Sequence, residues 1–179
     1  MYISFLRGIN VGGHKKVNMA ELKALYQNLG FDAVSTYIQS GNVVFRSSKK
    51  WLDLELADQI EKAIAEKFLF PVPVVIRSAA EIEQVITENP FLTATNVDPE
   101  KLHVTFLSET PAIEKVEHLK IPAGVPDRFI IFGKNVYLHC GGSYSDTKLS
   151  NQFFETQLKV KATTRNWKTV NKMLILASS

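Results

Sequence analysis

Three observations predict an α+β fold. Short β-prone runs alternate with segments of helical period, the order β-α-β-β-α-β followed by one helix occurs twice, and a polar connector, Thr93 to Pro99, lies between the two occurrences. This is the element order of a ferredoxin-like unit with an antiparallel sheet. We therefore expect two consecutive ferredoxin-like units, residues 1–95 and 96–179.

The first unit opens with a strand, a loop and a helix. Met1 to Leu6 is apolar and β-prone, and the long loop Arg7 to Val17 follows it. Asn18 with Glu21 is a capping-box pattern, after which apolar residues recur at helical spacing until Gly30. A helix is expected between these two signals.

A hairpin, a second helix, a strand and an appended helix complete the first unit. The β-prone runs Val34 to Ile38 and Val43 to Phe45 flank a Gly-Asn pair, Gly41 and Asn42, which favours a two-residue turn. The remaining segments are predicted at Leu52 to Leu69 (helix), Val72 to Ile76 (strand) and from Ser78 with Glu81 to Asn89 (helix).

The second unit repeats this order with a shorter and more polar last strand. Its segments are the strand Leu102 to Leu107, the helix Ala112 to Leu119, the hairpin Arg128 to Ile131 and Val136 to Cys140, the helix Leu149 to Leu158, the strand Val160 to Thr164 and the helix Trp167 to Leu176. When the two units are matched element by element, Arg165-Asn166 takes the place that Arg77-Ser78 has in the first unit.

Composition makes several classes of protein, among them membrane-spanning and disulfide-bonded proteins, poor candidates for this chain. With 179 residues, 45% of them hydrophobic, the chain is long enough for one large core or two small ones. Because Cys140 is the only cysteine and no apolar stretch nears the ~20 residues of a membrane helix, we expect a cytoplasmic protein without disulfide or membrane span. The four histidines lack metal-ligand spacing, and we expect neither a metal nor a cofactor.

Charge is small overall, at +3, but uneven along the chain. Residues 159–172 hold five bases and no acid, and the first twenty residues also hold bases and no acid, whereas residues 51–100 hold ten acids and three bases. Two basic segments near the two ends of the chain are therefore the candidates for binding an anionic partner.

The first candidate is the loop after the first strand. Its glycines allow backbone N–H groups to converge on an anion, and the next helix adds its positive end. The spacing matches neither a P-loop nor a dinucleotide fingerprint, and a surface loop with solvated lysines is the alternative. The candidate ligand-binding residues here are Arg7, Asn10, Gly12, Gly13, Lys15 and Lys16.

The second candidate is the segment around the last predicted helix start. Hydroxyl and amide groups, a guanidinium and an indole together could hold an anion and stack on a ring. An ordinary helix cap with a tryptophan that packs the last helix on the sheet is the alternative. The candidate ligand-binding residues here are Thr164, Arg165, Asn166, Trp167 and Lys168.

No catalytic constellation is predicted. His139 and Cys140 are adjacent on a predicted strand and should point to opposite faces, with Cys140 in the core beside Val136 and Leu138. The carboxylates cluster on helices, where they are typical of solvated faces. We therefore name no catalytic residue.

Three sequence blocks resemble a known family. They are RGINVGG at residues 7–13, YIQSGNV at 37–43 and ATTRNW at 162–167, and they are similar to the signature blocks of the bacterial family catalogued as domain of unknown function 1697. The resemblance runs from Met1 to about Leu174. It implies a cytoplasmic protein with a two-part ferredoxin-like arrangement, and it implies no settled activity, cofactor or catalytic residue.

Three functional hypotheses follow. The first is a binding module for a phosphate-bearing ligand, a nucleotide or nucleic acid, seated where the loop Arg7 to Lys16 and the segment Thr163 to Lys172 come together. The second is an enzyme acting on a small anionic substrate there, with Arg165 and Lys15 stabilising charge and His14 as base. The third is a protein-interaction unit that pairs through a sheet edge, and a homo-oligomer stays open.

Overall fold

The computed structural model describes residues 1–93 and 97–179. It is an α+β structure whose described residues form two four-stranded antiparallel sheets and six α-helices. Two compact units are present, residues 1–83 with 172–179 and residues 84–171. The boundary predicted between residues 95 and 96 lies outside the described residues.

The first sheet and its first two helices lie in the first unit, and the third helix crosses the unit boundary at residue 83. The elements in chain order are β1 (Tyr2–Leu6), α1 (Met19–Asn28), β2 (Asp32–Tyr37), β3 (Asn42–Arg46), α2 (Asp53–Phe68), β4 (Val74–Ser78) and α3 (Ala79–Thr87). The strand order is β2-β3-β1-β4, and all neighbours are antiparallel.

The core of the first unit lies between this sheet and helices α1 and α2. Alternate residues of β1, β3 and β4 point to the same face, as the period of a strand requires. They pack against fully buried aliphatic and aromatic residues of the two helices, the cluster including Leu6, Val43, Phe45, Val74, Ile76, Leu22, Tyr26, Leu56, Ile60 and Ile64. Burial of these apolar surfaces is the main force that holds the helices on the sheet.

The second sheet repeats the arrangement. Its elements are β5 (Leu102–Leu107), α4 (Ile113–Glu117), β6 (Arg128–Phe132), β7 (Asn135–His139), α5 (Asn151–Leu158), β8 (Ala162–Asn166) and α6 (Trp167–Ala177). The strand order, β6-β7-β5-β8, is again antiparallel throughout. Its helix-covered core contains Leu107, Val136, Leu138, Leu149, Phe154, Leu158 and Ala162.

Local contacts repeat between the units as well. The carboxylate of Glu61 on α2 accepts the N–H of Val74 at the start of β4 (2.9 Å), and that of Glu155 on α5 accepts the N–H of Ala162 at the start of β8 (3.0 Å). Both helices end in a left-handed residue, at φ 64° and 61°. The repeat predicted from element order therefore extends to individual hydrogen bonds.

Several predicted boundaries were wrong, among them the strands predicted at Val72 to Ile76 and Val160 to Thr164, which each lie two residues further along the chain, and two other boundaries differ for local reasons. The turn predicted on Gly41 and Asn42 lies at residues 38–41, because Asn42 is already paired with Phe5 as the first residue of β3. The helix predicted from Leu149 begins at Asn151, because the Ser150 hydroxyl accepts the N–H of Phe153 and caps it there. No helix in the described part of the chain is long and apolar enough to cross a membrane.

Candidate functional site

The side chain of Asn10 makes several of the hydrogen bonds that hold the loop between β1 and α1. Asn10 lies at φ 55°, accepts the N–H of Val17 on Oδ1 (2.9 Å), and donates from Nδ2 to the carbonyls of Val17 (3.0 Å) and Gln39 (2.9 Å). The loop is thereby fastened to the hairpin at 38–41. Asn10, expected to bind a ligand, has a structural role in this position.

The same hairpin leaves no room for a side chain at its last residue. Gly41 lies at φ 78°, and a Cβ there would stand 2.6 Å from Leu6 Cβ and 2.8 Å from Ile9 Cδ1. Asn42 donates to the Tyr37 carbonyl and the Ser40 hydroxyl, both at 3.0 Å. The blocks at 7–13 and 37–43 are therefore explained in large part by the packing of the loop and the hairpin on each other.

The basic residues of this loop differ in their surroundings. The Lys15 ammonium donates to the Pro71 carbonyl (2.8 Å), whereas Lys16 lies with Asn10, Gly13 and Glu21 along a shallow open groove. The start of α1 is capped by Asn18, which accepts the N–H groups of the second and third helical residues, and Glu21 adds a carboxylate. An anion at this helix start would compete with both groups.

In the second unit the predicted segment divides into two parts. Thr164 donates its hydroxyl proton to Asn151 Oδ1 (2.7 Å), so the Thr105 hydroxyl, also at 2.7 Å, must donate to Thr164. Arg165 is 9% exposed and donates from Nη1 to the Thr164 carbonyl (2.9 Å). Thr164 therefore joins β8 to β5 and to the start of α5, whereas this bond of Arg165 lies within β8.

Arg165 has a counterpart in the first unit. Arg77 is fully buried on β4 and donates from Nη1 to the Ile76 carbonyl (2.7 Å), the same short local bond. Burial lowers the pKa of each guanidinium to about 10, opposed by Glu81 and Asp53 at Arg77 and by Tyr144 at Arg165. Both groups therefore stay charged at pH 7.

The other three predicted residues line a cleft. Asn166, Trp167 and Lys168 surround, together with Pro99, Glu100 and His103, a cleft of about 460 Å³ at the first turn of α6, which we name the α6 cleft. The Asn166 side chain accepts the Thr169 N–H (2.8 Å) and so caps the helix. No acidic residue lies in this first turn. The cleft is of a size that accepts small ligands, which take roughly 300–1,000 Å³.

His103 is the residue of this cleft that the sequence prediction missed. It lies on β5 opposite Asn166 on β8, on the same face as Thr105 and Leu107, and it is 9% exposed. Its ring stacks on Tyr144 at 4.8 Å between centroids, and burial lowers its pKa. The available signal was a polar alternation, His103 then Thr105, within an otherwise apolar strand.

The ring of His103 also faces the single thiol. His103 Nδ1 lies 3.4 Å from the Lys101 carbonyl oxygen and 3.7 Å from Cys140 Sγ. Cys140 is 1% exposed, as expected for a core residue, and burial, with Asp127 nearby, raises its pKa to about 11. This pair is a neutral thiol beside a neutral imidazole, not an activated nucleophile.

The predicted binding residues thus belong to two different units. Arg7, Asn10, Gly12, Gly13, Lys15 and Lys16 lie in the first unit, and Thr164, Arg165, Asn166, Trp167 and Lys168 lie in the second. Among the described residues, no group of three or more His, Cys, Asp or Glu side chains is placed to hold a metal ion.

Comparison with known proteins places the chain in a family. The family model described as "Protein of unknown function (DUF1697)" matches residues 1–137. A solved structure, that of the conserved bacterial protein SP0830 from Streptococcus pneumoniae, is 27% identical, covers 98% of this chain and 97% of its own, and has a TM-score of 0.73. No curated protein matches the chain significantly.

Proposed function

The chain belongs to the DUF1697 family of proteins of unknown function, and we propose that it binds a phosphate-bearing ligand, a nucleotide or nucleic acid, at the α6 cleft. The observation that carries the proposal is the first turn of α6. It combines an N-terminal helix end without any acidic residue, the ammonium of Lys168 and the buried imidazole of His103 around one concave space. Such a helix end attracts anions.

The wall of the cleft suits an organic phosphate better than a bare ion. Trp167 lines the cleft and is 8% exposed. An indole surface supports stacking or apolar contact with a base or sugar, while Lys168 supplies charge. Glu100, which precedes β5 in the chain, also lines the cleft, and its carboxylate can accept hydrogen bonds from hydroxyl groups of a ligand.

Two predictions from the sequence accompany this proposal. The ferredoxin-like assignment of each unit is supported by the element order β-α-β-β-α-β and by the two equivalent strand orders. A contribution of the loop Arg7 to Lys16 to the same ligand stays a prediction, as do the enzyme and sheet-edge hypotheses. To test whether the loop contributes to binding, Lys16→Gln is a better substitution than Lys15→Gln, because the Lys15 ammonium donates to a backbone carbonyl and its loss would also disturb the loop.

A binding screen at two salt concentrations tests the proposal. Nucleotides, sugar phosphates and short RNA or DNA are assayed by thermal shift and filter binding, and binding of a phosphate-bearing ligand is expected to weaken as salt rises. Lys168→Gln should reduce affinity about fivefold, the size of one charge-assisted contact near the surface. Lys115→Gln, which removes the same charge from the exposed face of α4, is the matched control.

The outcomes are distinct. Suppose a ligand raises the melting temperature of the parent and of Lys115→Gln by the same amount and that of Lys168→Gln by less. This result would support binding at the α6 cleft. Equal weakening by the two substitutions would show only a general effect of net charge, and no shift with any phosphate-bearing compound would reject the proposal.

A further inference from the structure

The hydrogen-bonding state of His103 limits which ligand the α6 cleft accepts. Nδ1 lies 3.4 Å from the Lys101 carbonyl oxygen, which can only accept a hydrogen bond. The proton of the neutral ring therefore belongs on Nδ1, because a bare Nδ1 would oppose the lone pair of this carbonyl oxygen. The Cys140 thiol, 3.7 Å away, is compatible with this tautomer as a weak acceptor.

The other ring nitrogen is then a hydrogen-bond acceptor. In the part of the chain that the structure describes, no group hydrogen-bonds to His103 Nε2, although the side chain is 9% exposed and lines the cleft. Its plane is set by the stack on Tyr144. A ring nitrogen that lines a cleft and has no partner in the protein can accept a hydrogen bond from water or from a ligand bound there.

The cleft therefore presents two kinds of chemistry. Its donors are the Lys168 ammonium and the first turn of α6, and its acceptors are His103 Nε2 and the Glu100 carboxylate. The methyl phosphate dianion, which has no O–H group, satisfies the donors and leaves the acceptors unmatched. A phosphate ester that also carries hydroxyl groups satisfies both.

Resting on the proposed function above, we propose that the ligand is a small phosphate ester of a polyhydroxy compound, a sugar phosphate or a nucleoside monophosphate, with one of its hydroxyl or amino groups donating to His103 Nε2. The volume of about 460 Å³ suits a molecule of that size. His103 is then a specificity-determining residue. It selects against phosphate compounds that have no donor.

Calorimetry with matched probes tests this inference at pH 7.5 and low salt. The probes are inorganic phosphate, methyl phosphate, ribose 5-phosphate, adenosine monophosphate and adenosine. We expect the two hydroxyl-bearing phosphate esters to bind at least about tenfold more tightly than methyl phosphate, the effect of one well-placed hydrogen bond. A preference for adenosine monophosphate over ribose 5-phosphate assigns the nucleotide, and equal affinities assign the sugar phosphate.

Two substitutions of His103 distinguish the effect of its hydrogen-bond acceptor from the effect of its aromatic ring. His103→Phe keeps an aromatic ring against Tyr144 and removes the acceptor, so the tenfold advantage over methyl phosphate should disappear. His103→Gln, whose amide oxygen can reach the place of Nε2, should retain part of it. Thermal denaturation of both variants checks that they fold.

A spectroscopic measurement reads the tautomer without any ligand. The ¹⁵N chemical shifts of the His103 ring should show a protonated Nδ1 and a bare Nε2 at pH 7.5, and ribose 5-phosphate should shift the Nε2 signal as it accepts a hydrogen bond. A protonated Nε2 in the free protein overturns the inference even where phosphate binding persists.

The failures of the two proposals can be told apart. Methyl phosphate binding as tightly as ribose 5-phosphate, or binding of RNA without binding of any small ester, overturns this inference and leaves a phosphate site in place. Absence of binding by every phosphate-bearing probe overturns both proposals.

Discussion

The starts of α3 and α6 occupy the same place in the two units, and their chemistry is opposite. In the first unit Glu81 accepts the backbone N–H (2.8 Å) and the hydroxyl (2.9 Å) of Ser78, while the Ser78 hydroxyl accepts the Glu81 N–H (3.2 Å). This is a closed capping box. In the second unit Asn166 caps α6, and the position of Glu81 is taken by Thr169.

This difference supports the proposal that the second unit, and not the first, binds a ligand. A carboxylate of the chain itself neutralises the positive end of α3, whereas the corresponding end of α6 has Lys168 and a cleft beside it. The neighbouring position on the sheet differs too, since Tyr2 pairs with Ser78 where His103 pairs with Asn166. The start of α3 is closed by a carboxylate of its own first turn, and the start of α6 has no such carboxylate.

The largest effect is expected from the hairpin glycines of the two units. Gly41→Ala should lower the free energy of unfolding by about 2–4 kcal/mol, because a Cβ collides with Leu6 and Ile9 and alanine is strained at φ 78°. Gly133, in the hairpin between β6 and β7, has φ 56° and no atom within 4 Å of a Cβ. Gly133→Ala should cost about 1 kcal/mol.

Urea denaturation of both alanine variants measures this contrast. Equal losses would mean that the close packing at Gly41 relaxes at no cost, and the first hairpin would then be no more constrained than the second. The slope of unfolding against urea should stay that of the parent.

An intermediate effect is expected from the two helix caps. Ser78→Ala and Asn166→Ala should each cost about 1 kcal/mol of stability, since each removes a side-chain acceptor for a helix N–H. Only Asn166→Ala should also weaken binding of ribose 5-phosphate, by about fivefold, because Asn166 lines the α6 cleft. Calorimetry on both variants checks this, and equal binding by the two would remove Asn166 from the site.

The smallest effect is a pH dependence confined to the second unit. Burial lowers the pKa of His103 in the folded protein. As pH falls below about 6.5, His103 therefore becomes protonated in the unfolded chain before it does so in the folded protein. Stability should therefore decrease on acidification through that range, by at most about 1.4 kcal/mol per pH unit from this group.

Melting temperatures of the parent and His103→Gln between pH 8 and pH 5 test this contribution. The variant should lose less stability than the parent over the acidic part of the range. Parallel profiles would show that His103 titrates alike in the folded and unfolded states, in conflict with its burial.

Part of the molecule was determined by the sequence alone. Periodicity and turn residues predicted every strand and helix of both units in the correct order, because alternation and 3.6-residue spacing report which face of an element is buried. Local capping signals were equally direct: Asn18 caps the first helix through its own side chain, and Ser78 with Glu81 forms the predicted capping box. Three of the five residues predicted at the last helix start line a cleft there.

Only the tertiary structure decided which polar side chains face open space. Asn10, Thr164 and Arg165 have the same chemistry as binding residues, but their hydrogen bonds go to the chain itself. His103 and Lys168 are more than sixty residues apart in the sequence. They line the same cleft because β5 pairs with β8 and places His103 opposite Asn166. Whether a polar group is satisfied depends on partners brought by strand pairing over long sequence separations, and no local pattern encodes that pairing.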